Sequence, residues 1–240
     1  MPLIKPIAQR LVNLFGFTLL QSRQVPNALW NGLSTYPMRT ILDIGACRGG
    51  FAREILHENF PAATIHSFEP SPVAFETLRV VGANSGGAIV AHNFGLGEQA
   101  GTMTLCSTVE SLPSSSLLPS TAENTTAFPQ IRRTEDLSVE LKVLDDIAST
   151  LKPSIADDLL VKIDVQGFED RVIRGGKKTI AQARAAIIEV QVAGLYVGQP
   201  SFRDLFLLMD EVGFAFIGVL DQYCDSDGRV LYFDAVFLKR

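Results

Sequence analysis

The 240-residue sequence predicts an α/β domain: a mostly parallel seven-stranded sheet with helices on both faces and an antiparallel C-terminal strand. Three observations carry this expectation. From Thr40 onward, apolar runs of strand length alternate with helical patterns, the signature of βαβ units. The central strand candidates are rich in apolar residues, as strands covered on both faces are. The last two candidates follow each other without an intervening helix, which suits an antiparallel pair.

Thr40–Ile44 reads as the first buried strand, with a helix from about Gly49 to Asn59 behind it. Thr64–Phe68 is the second strand and ends at Glu69-Pro70; Pro72–Val81 is its helix, and Ala88–His92 is the third strand. There the rhythm breaks. Gly101–Cys106 and Ser138–Val143 read as strand pieces around a Ser/Thr/Pro-rich segment, 107–134, long enough to act as a substrate flap. Alternation resumes with strand Leu159–Val165, a helix from Phe168 to Ile180, strand Ala186–Val190 and helix Phe202–Val212. Phe214–Leu220 and Val230–Leu238 close the sheet. Residues 39–240 are expected to form this domain, and residues 1–38 a helical extension.

Composition narrows the functional classes. A chain with 47% hydrophobic and 20% charged residues is an ordinary globular one, and a net charge of −5 offers no general attraction to nucleic acid or anionic lipid. Cys47, Cys106 and Cys224 cannot all pair and match no zinc spacing, so a reducing, cytoplasmic setting is expected. The N-terminal stretch is interrupted by Lys5, Pro6 and Arg10, so no integral membrane segment is expected. Ile7, Leu11, Leu14, Phe15 and Leu19 recur at helical spacing, an amphipathic face suited to packing on the domain or against a second copy in a homodimer.

In parallel α/β sheets, ligands bind beyond the carboxyl ends of the strands, so the residues that end each strand are the candidates. The first strand runs into Asp43-Ile44-Gly45-Ala46-Cys47-Arg48-Gly49-Gly50. Gly45 permits a tight turn against a ligand, and Gly49 opens the next helix without a side-chain obstruction. The pattern is not the G-x-G-x-x-G of dinucleotide sites, which disfavours an NAD-dependent oxidoreductase. Asp43 suits a cofactor carrying an amino group and a sulfonium rather than a diphosphate. Glu69 ends the second strand 20 positions after Gly49, where an acidic residue accepts from ribose hydroxyls in Rossmann-type folds. Asn93, after the third strand, is a further cofactor candidate, with His92 beside it.

Leu160-Val161-Lys162-Ile163-Asp164-Val165-Gln166-Gly167-Phe168-Glu169 places two carboxylates and a lysine around a strand end. With Ile41-Leu42-Asp43-Ile44-Gly45-Ala46, Phe68-Glu69-Pro70-Ser71-Pro72, Leu144-Asp145-Asp146 and Ile188-Glu189, it resembles the FkbM family of S-adenosylmethionine-dependent methyltransferases. The resemblance spans about Thr40 to Glu189, and Ser114–Ser116 shares it. It implies a Rossmann-like class I methyltransferase fold, S-adenosylmethionine as cofactor, and O-methylation of a hydroxyl on a sugar, polyketide or other small metabolite. It adds Ala46 and Pro70 to the cofactor candidates.

An acceptor hydroxyl gains from a base that removes its proton as the new bond forms. Asp164 leads the catalytic candidates, followed by Glu169 and His92, with Glu189 behind them. Lys162 reads as an ion-pair partner within its strand. The chain departs from the family at Gln166, where the family carries glutamate (D-V-E-G-x-E). That change leaves open a second reading, a nucleotide-binding scaffold without transfer activity. Asp145, Asp146, Asp164 and Glu169 offer oxygen atoms to a divalent ion, but nothing in their spacing shows that they converge, so such a metal is an open option that is not expected.

Overall fold

The structure is a computed structural model that describes residues 28–155 and 158–240, so the amphipathic pattern of Ile7 to Leu19 lies outside the described residues. After a short helix, Ala28–Leu33, the chain lays down β1 (Thr40–Ile44), β2 (Thr64–Phe68) and β3 (Ile89–His92). Three further strands follow: β4 (Gly95–Leu96), β5 (Gly101–Thr108) and β6 (Thr134–Lys142). Then come β7 (Leu159–Ile163), β8 (Ala185–Gln191), β9 (Phe214–Cys224) and β10 (Val230–Lys239).

Seven of these form one sheet in the order β3-β2-β1-β7-β8-β10-β9. The first five are mutually parallel, and β10 runs antiparallel to both β8 and β9. The chain order reverses between β1 and β7, so the crevice outside their carboxyl ends is the switch point where ligands bind in such sheets. The smaller sheet β4-β6-β5 rises beside that edge.

Why the central strands read so plainly is visible in their burial. Every residue of β1 and β7 is buried. Leu42, Ile44, Phe68, Val161, Ile163 and Ile188 enter a core on one face. Ile41, Ile65, Ile89, Leu160 and Ile187 enter a second core on the other, where Leu33 and Met38 join them and Trp30 and Tyr36 pack against its edge. Each such side chain contributes roughly 1.5–3 kcal/mol by leaving water.

Three details differ from the sequence reading. β5 and β6 pair farther than expected, from Gly101↔Leu141 to Thr108↔Thr134. The added β6 residues, Thr134, Glu135 and Asp136, are polar and exposed, and hydrogen bonding without burial leaves no apolar pattern. The helix after β7 is broken into Glu169–Gly175 and Lys177–Ile180. The break falls where the chain passes close to β4: a Cβ on Gly175 would lie 2.0 Å from the Gly97 carbonyl oxygen. The segment 107–134 is folded, with helix Ala122–Ala127 and two single 3-10 turns. Thr121 Oγ1 donates to the Gly194 carbonyl at 2.6 Å and Ser116 Oγ to the Gln166 carbonyl at 2.7 Å, tying the segment to the sheet edge. Among the described residues, no helix is long and apolar enough to cross a membrane.

Candidate active site

The turn after β1 folds back on the sheet edge. Gly45 adopts φ +85°, and a Cβ there would stand 1.8 Å from the Asp164 carbonyl oxygen, so only glycine fits. The amides of Gly45 and Ala46 both donate to the Phe68 carbonyl at 3.0 Å. Glu69, at the end of β2, joins the two turns: Oε2 accepts from the Cys47 amide at 2.8 Å and Oε1 from the Ser71 amide at 2.7 Å. A carboxylate has about four acceptor positions, so roughly two remain for a ligand. Burial pushes the Glu69 carboxyl up to about 7, against the pull of the two amides.

Beneath this turn runs a polar row fixed by register. Asp43 is opposite Ser67 on β2 and opposite Lys162 on β7. Ser67 Oγ donates to Asp43 Oδ2 at 3.1 Å, and Lys162 Nζ lies 3.4 Å from Asp43 Oδ1 and 3.2 Å from Asp164 Oδ2. Asp43 is fully buried, and Lys162 nearly so. Burial alone would depress the lysine, but Asp164 and Asp43 hold its ammonium well above the ordinary range.

Beyond β7 the chain turns through Gln166 (φ +55°) and Gly167 (φ +94°). Glu169 Oε1 closes this turn by accepting from the amides of Val165 (3.2 Å) and Gly167 (3.0 Å). It is buried, and burial raises its carboxyl to about 7. Gln166 Nε2 donates to Asp164 Oδ1 at 2.8 Å and to Glu189 Oε1 at 2.7 Å, and its Oε1 accepts from the Tyr196 hydroxyl at 2.7 Å. Gln191 Nε2 also donates to Glu189 Oε1, at 2.5 Å. Burial, with Asp164 adding to it, raises the Glu189 carboxyl well above the usual range.

Two cavities meet here. One encloses about 640 Å³ including its open mouth and is lined by Gly45, Glu69, Pro70 and Cys47, with Phe68 and Leu105 as apolar walls. The other, about 490 Å³, is lined by Asn124, Phe128, Glu189, Tyr196 and Tyr232. Asp164, Gln166 and Pro113 border both.

The sequence-predicted residues therefore divide. Gly45, Glu69, Pro70 and Asp164 line the first cavity. Asp43, Ala46, Gly49, Asn93 and Glu169 stand behind it: Asp43 holds Lys162, and Gly49 packs toward Leu78. Asn93 Nδ2 donates to the Glu69 carbonyl at 3.0 Å. His92 is apart from both cavities. It stacks on Phe68 with ring centroids 4.7 Å apart, its Nε2 meets His66 Nδ1 at 3.1 Å, and burial lowers it to about 4. It faces a third hollow with Phe94, Lys142 and Lys152. Tyr196, Asn124, Tyr232 and Gln191 escaped sequence reasoning, because they lie on a loop, a short helix and later strands with no motif of their own. Among the described residues, no group of three or more histidine, cysteine or acidic side chains is placed to hold a metal ion.

The family profile described as the methyltransferase FkbM domain matches residues 43–216, most of the chain. The chain belongs to the FkbM methyltransferase family. It is 30% identical over 186 residues to the 2-O-methyltransferase NoeI of Sinorhizobium fredii, covering 72% of each chain. It is 26% identical over 184 residues to Methyltransferase 1 of Beauveria bassiana, covering 73% of this chain and 72% of that one. Identity to the 31-O-demethyl-FK506 methyltransferase FkbM of Streptomyces tacrolimicus is 26% over 168 residues, covering 61% of this chain and 63% of that one. A crystal structure of methyltransferase FkbM from Methylobacillus flagellatus superposes with a TM-score of 0.48 at 15% identity, over 86% of this chain and 47% of that one. The strand order and the antiparallel β10 give the FkbM-family chain the class I methyltransferase fold.

The first cavity fits S-adenosylmethionine by its chemistry. Glu69 keeps acceptor capacity for ribose hydroxyls, Phe68, Leu105 and Pro70 offer apolar surface to an adenine, and Asp164 adds a carboxylate to the lining, of a charge that suits a cationic sulfur.

Proposed function

We propose that the protein is an S-adenosylmethionine-dependent O-methyltransferase acting on a hydroxyl of a small polar metabolite. The single observation that carries this reading is the position of Asp164, which borders both cavities and keeps 29% of its side chain exposed. S-adenosylmethionine, when bound, supplies an electrophilic methyl group on a cationic sulfur. The residues of this chain then have three tasks. Gly45, Glu69 and Pro70 hold the cofactor against the ends of β1 and β2. Asn124, Tyr196 and Tyr232 hold the acceptor, and alignment of its oxygen with the methyl carbon supplies much of the acceleration.

Asp164 takes the hydroxyl proton as the O–CH3 bond forms and the S–CH3 bond breaks, leaving S-adenosylhomocysteine and a methyl ether. Glu169 is spent on two backbone amides and buried, and His92 faces another hollow, so both are less suited to that task. The relatives support a hydroxyl acceptor by their names, one a 2-O-methyltransferase and one a 31-O-demethyl-FK506 methyltransferase.

The test is turnover with a panel of sugars and polyketide alcohols, following S-adenosylhomocysteine and product mass. O-methylated product is expected with the wild type, with kcat reduced about 10²–10⁴-fold in Asp164→Asn. Cofactor binding without transfer to any hydroxyl would favour the scaffold reading instead.

A further inference from the structure

Asp164 and Glu189 arrive at one point from neighbouring parallel strands, and a single neutral group lies between them. The two hydrogens of the Gln166 amide go one to each acid, at 2.8 Å and 2.7 Å. Turning the amide over is unfavourable: its oxygen would then face two carboxyls, and the Tyr196 hydroxyl would lose the nearer of its two acceptors, Gln166 Oε1 at 2.7 Å, and keep only the Ser114 carbonyl at 3.3 Å. The backbone is held as firmly. Gln166 keeps a left-handed φ of +55°, unfavourable for a side chain with a Cβ, and its carbonyl is fixed by Ser116 Oγ at 2.7 Å.

The surroundings of the two acids are unequal. Asp164 has the Lys162 ammonium at 3.2 Å and an open side toward both cavities. Among the described residues Glu189 has no cation in contact; its Oε1 accepts from Gln166 and Gln191, and it lines the second cavity. Glu169 and Asp234 add negative charge around Glu189, and Lys162 is shared with Asp43. Two acids so close repel each other's charge unless something neutral or cationic separates them.

We propose that Gln166 is a positioning residue that gives the two acids unlike roles, with Asp164 as the proton acceptor and Glu189 as a hydrogen-bonding partner of the acceptor molecule. The proposal rests on the O-methyltransferase reading above. An amide suits this role because it donates in both directions and carries no charge at any working pH. Oε1 of Glu189 is already engaged by two amides, which leaves Oε2 for a ligand in the second cavity. Tyr196 fixes the orientation of the amide and so belongs to the same device.

The test compares pH profiles of kcat/KM for wild type, Gln166→Glu and Tyr196→Phe, with the cofactor Kd measured in parallel. A carboxylate at position 166 adds negative charge beside Asp164, which favours its protonated form. The acidic limb of the profile is therefore expected to move to higher pH by about one unit, a tenfold loss on that limb, and the parallel cofactor Kd separates this shift from any change in cofactor binding. Tyr196→Phe frees the amide without adding charge, so kcat is expected to fall several-fold while the limb stays in place. Superposable profiles in an active wild type and an active Gln166→Glu overturn the role of Gln166 alone. Should Gln166→Glu fail to fold, Tyr196→Phe with an unreduced kcat overturns it. A wild type that binds cofactor but methylates no hydroxyl overturns the underlying reading and this role with it.

Discussion

Replacing Lys162 with methionine removes a charge while keeping most of the side chain's length. In the folded protein this ammonium touches Asp43 at 3.4 Å and Asp164 at 3.2 Å. The two acids would suffer unequally. Asp164 retains 29% of its side-chain exposure and a hydrogen bond from Gln166, so water and an amide compensate it. The Asp43 side chain has no exposure, and Ser67 is its remaining donor. An uncompensated buried charge typically costs about 3–5 kcal/mol, a large part of the roughly 5–15 kcal/mol that keeps a domain folded. Lys162→Met is therefore expected to lose about 3 kcal/mol or more in urea denaturation at neutral pH.

If the orphaned carboxylate is the cause, removing it must help. The double variant Lys162→Met/Asp43→Asn is expected to regain about half of the loss, a coupling that additive effects cannot produce. A single-variant loss below about 1 kcal/mol, or a double variant no more stable than the single one, would refute the reasoning.

Two further perturbations address the turns that shape the site. Gly45→Ala puts a methyl group 1.8 Å from the Asp164 carbonyl at φ +85°, so a loss of at least about 2 kcal/mol in thermal or urea unfolding is expected, and a wild-type midpoint would contradict it. Glu169 is raised from 4.5 to about 7 by burial, so between those values the folded state holds more protons than the unfolded state and this group's contribution to stability falls as pH rises. Glu169→Gln keeps an acceptor for the Val165 and Gly167 amides and should gain on wild type by up to about 3 kcal/mol between pH 5 and pH 8; a pH-independent difference would count against it.

How much of this was legible beforehand depends on where each signal sits. β1 and β2 coincide with their expected limits: nearly every residue in them is buried, and the buried polar pair Asp43 and Ser67 is satisfied across the sheet. Glu69 stands out in the sequence by its distance from Gly49, and the structure places it in the lining of the first cavity. Asp43 was read as a ligand contact from its place at a strand end. Its partner lies across the sheet, and the pairing Asp43↔Lys162 follows from register between strands 119 positions apart, which no local pattern encodes.

The Gln166 network was hidden for the same reason. Asp164, Glu189 and Tyr196 belong to β7's end, β8 and a later loop, and only the assembled edge brings them to one amide. The break at Gly176 was readable in principle, since Gly175-Gly176 interrupts the helical pattern. The early start of β6 was not, because its first residues are polar and exposed.

Isothermal titration of the wild type and Glu69→Gln with S-adenosylmethionine tests the central claim most directly, with circular dichroism confirming that both are folded. Glutamine can serve only one of the Cys47 and Ser71 amides and offers fewer acceptor positions to a ribose. One-site binding by the wild type, weakened at least about tenfold in the variant, is the predicted result, equivalent to roughly 1.4 kcal/mol. A folded wild type that takes up no S-adenosylmethionine, or equal affinity in both proteins, would contradict the assignment of the Gly45–Glu69 cavity as the cofactor site.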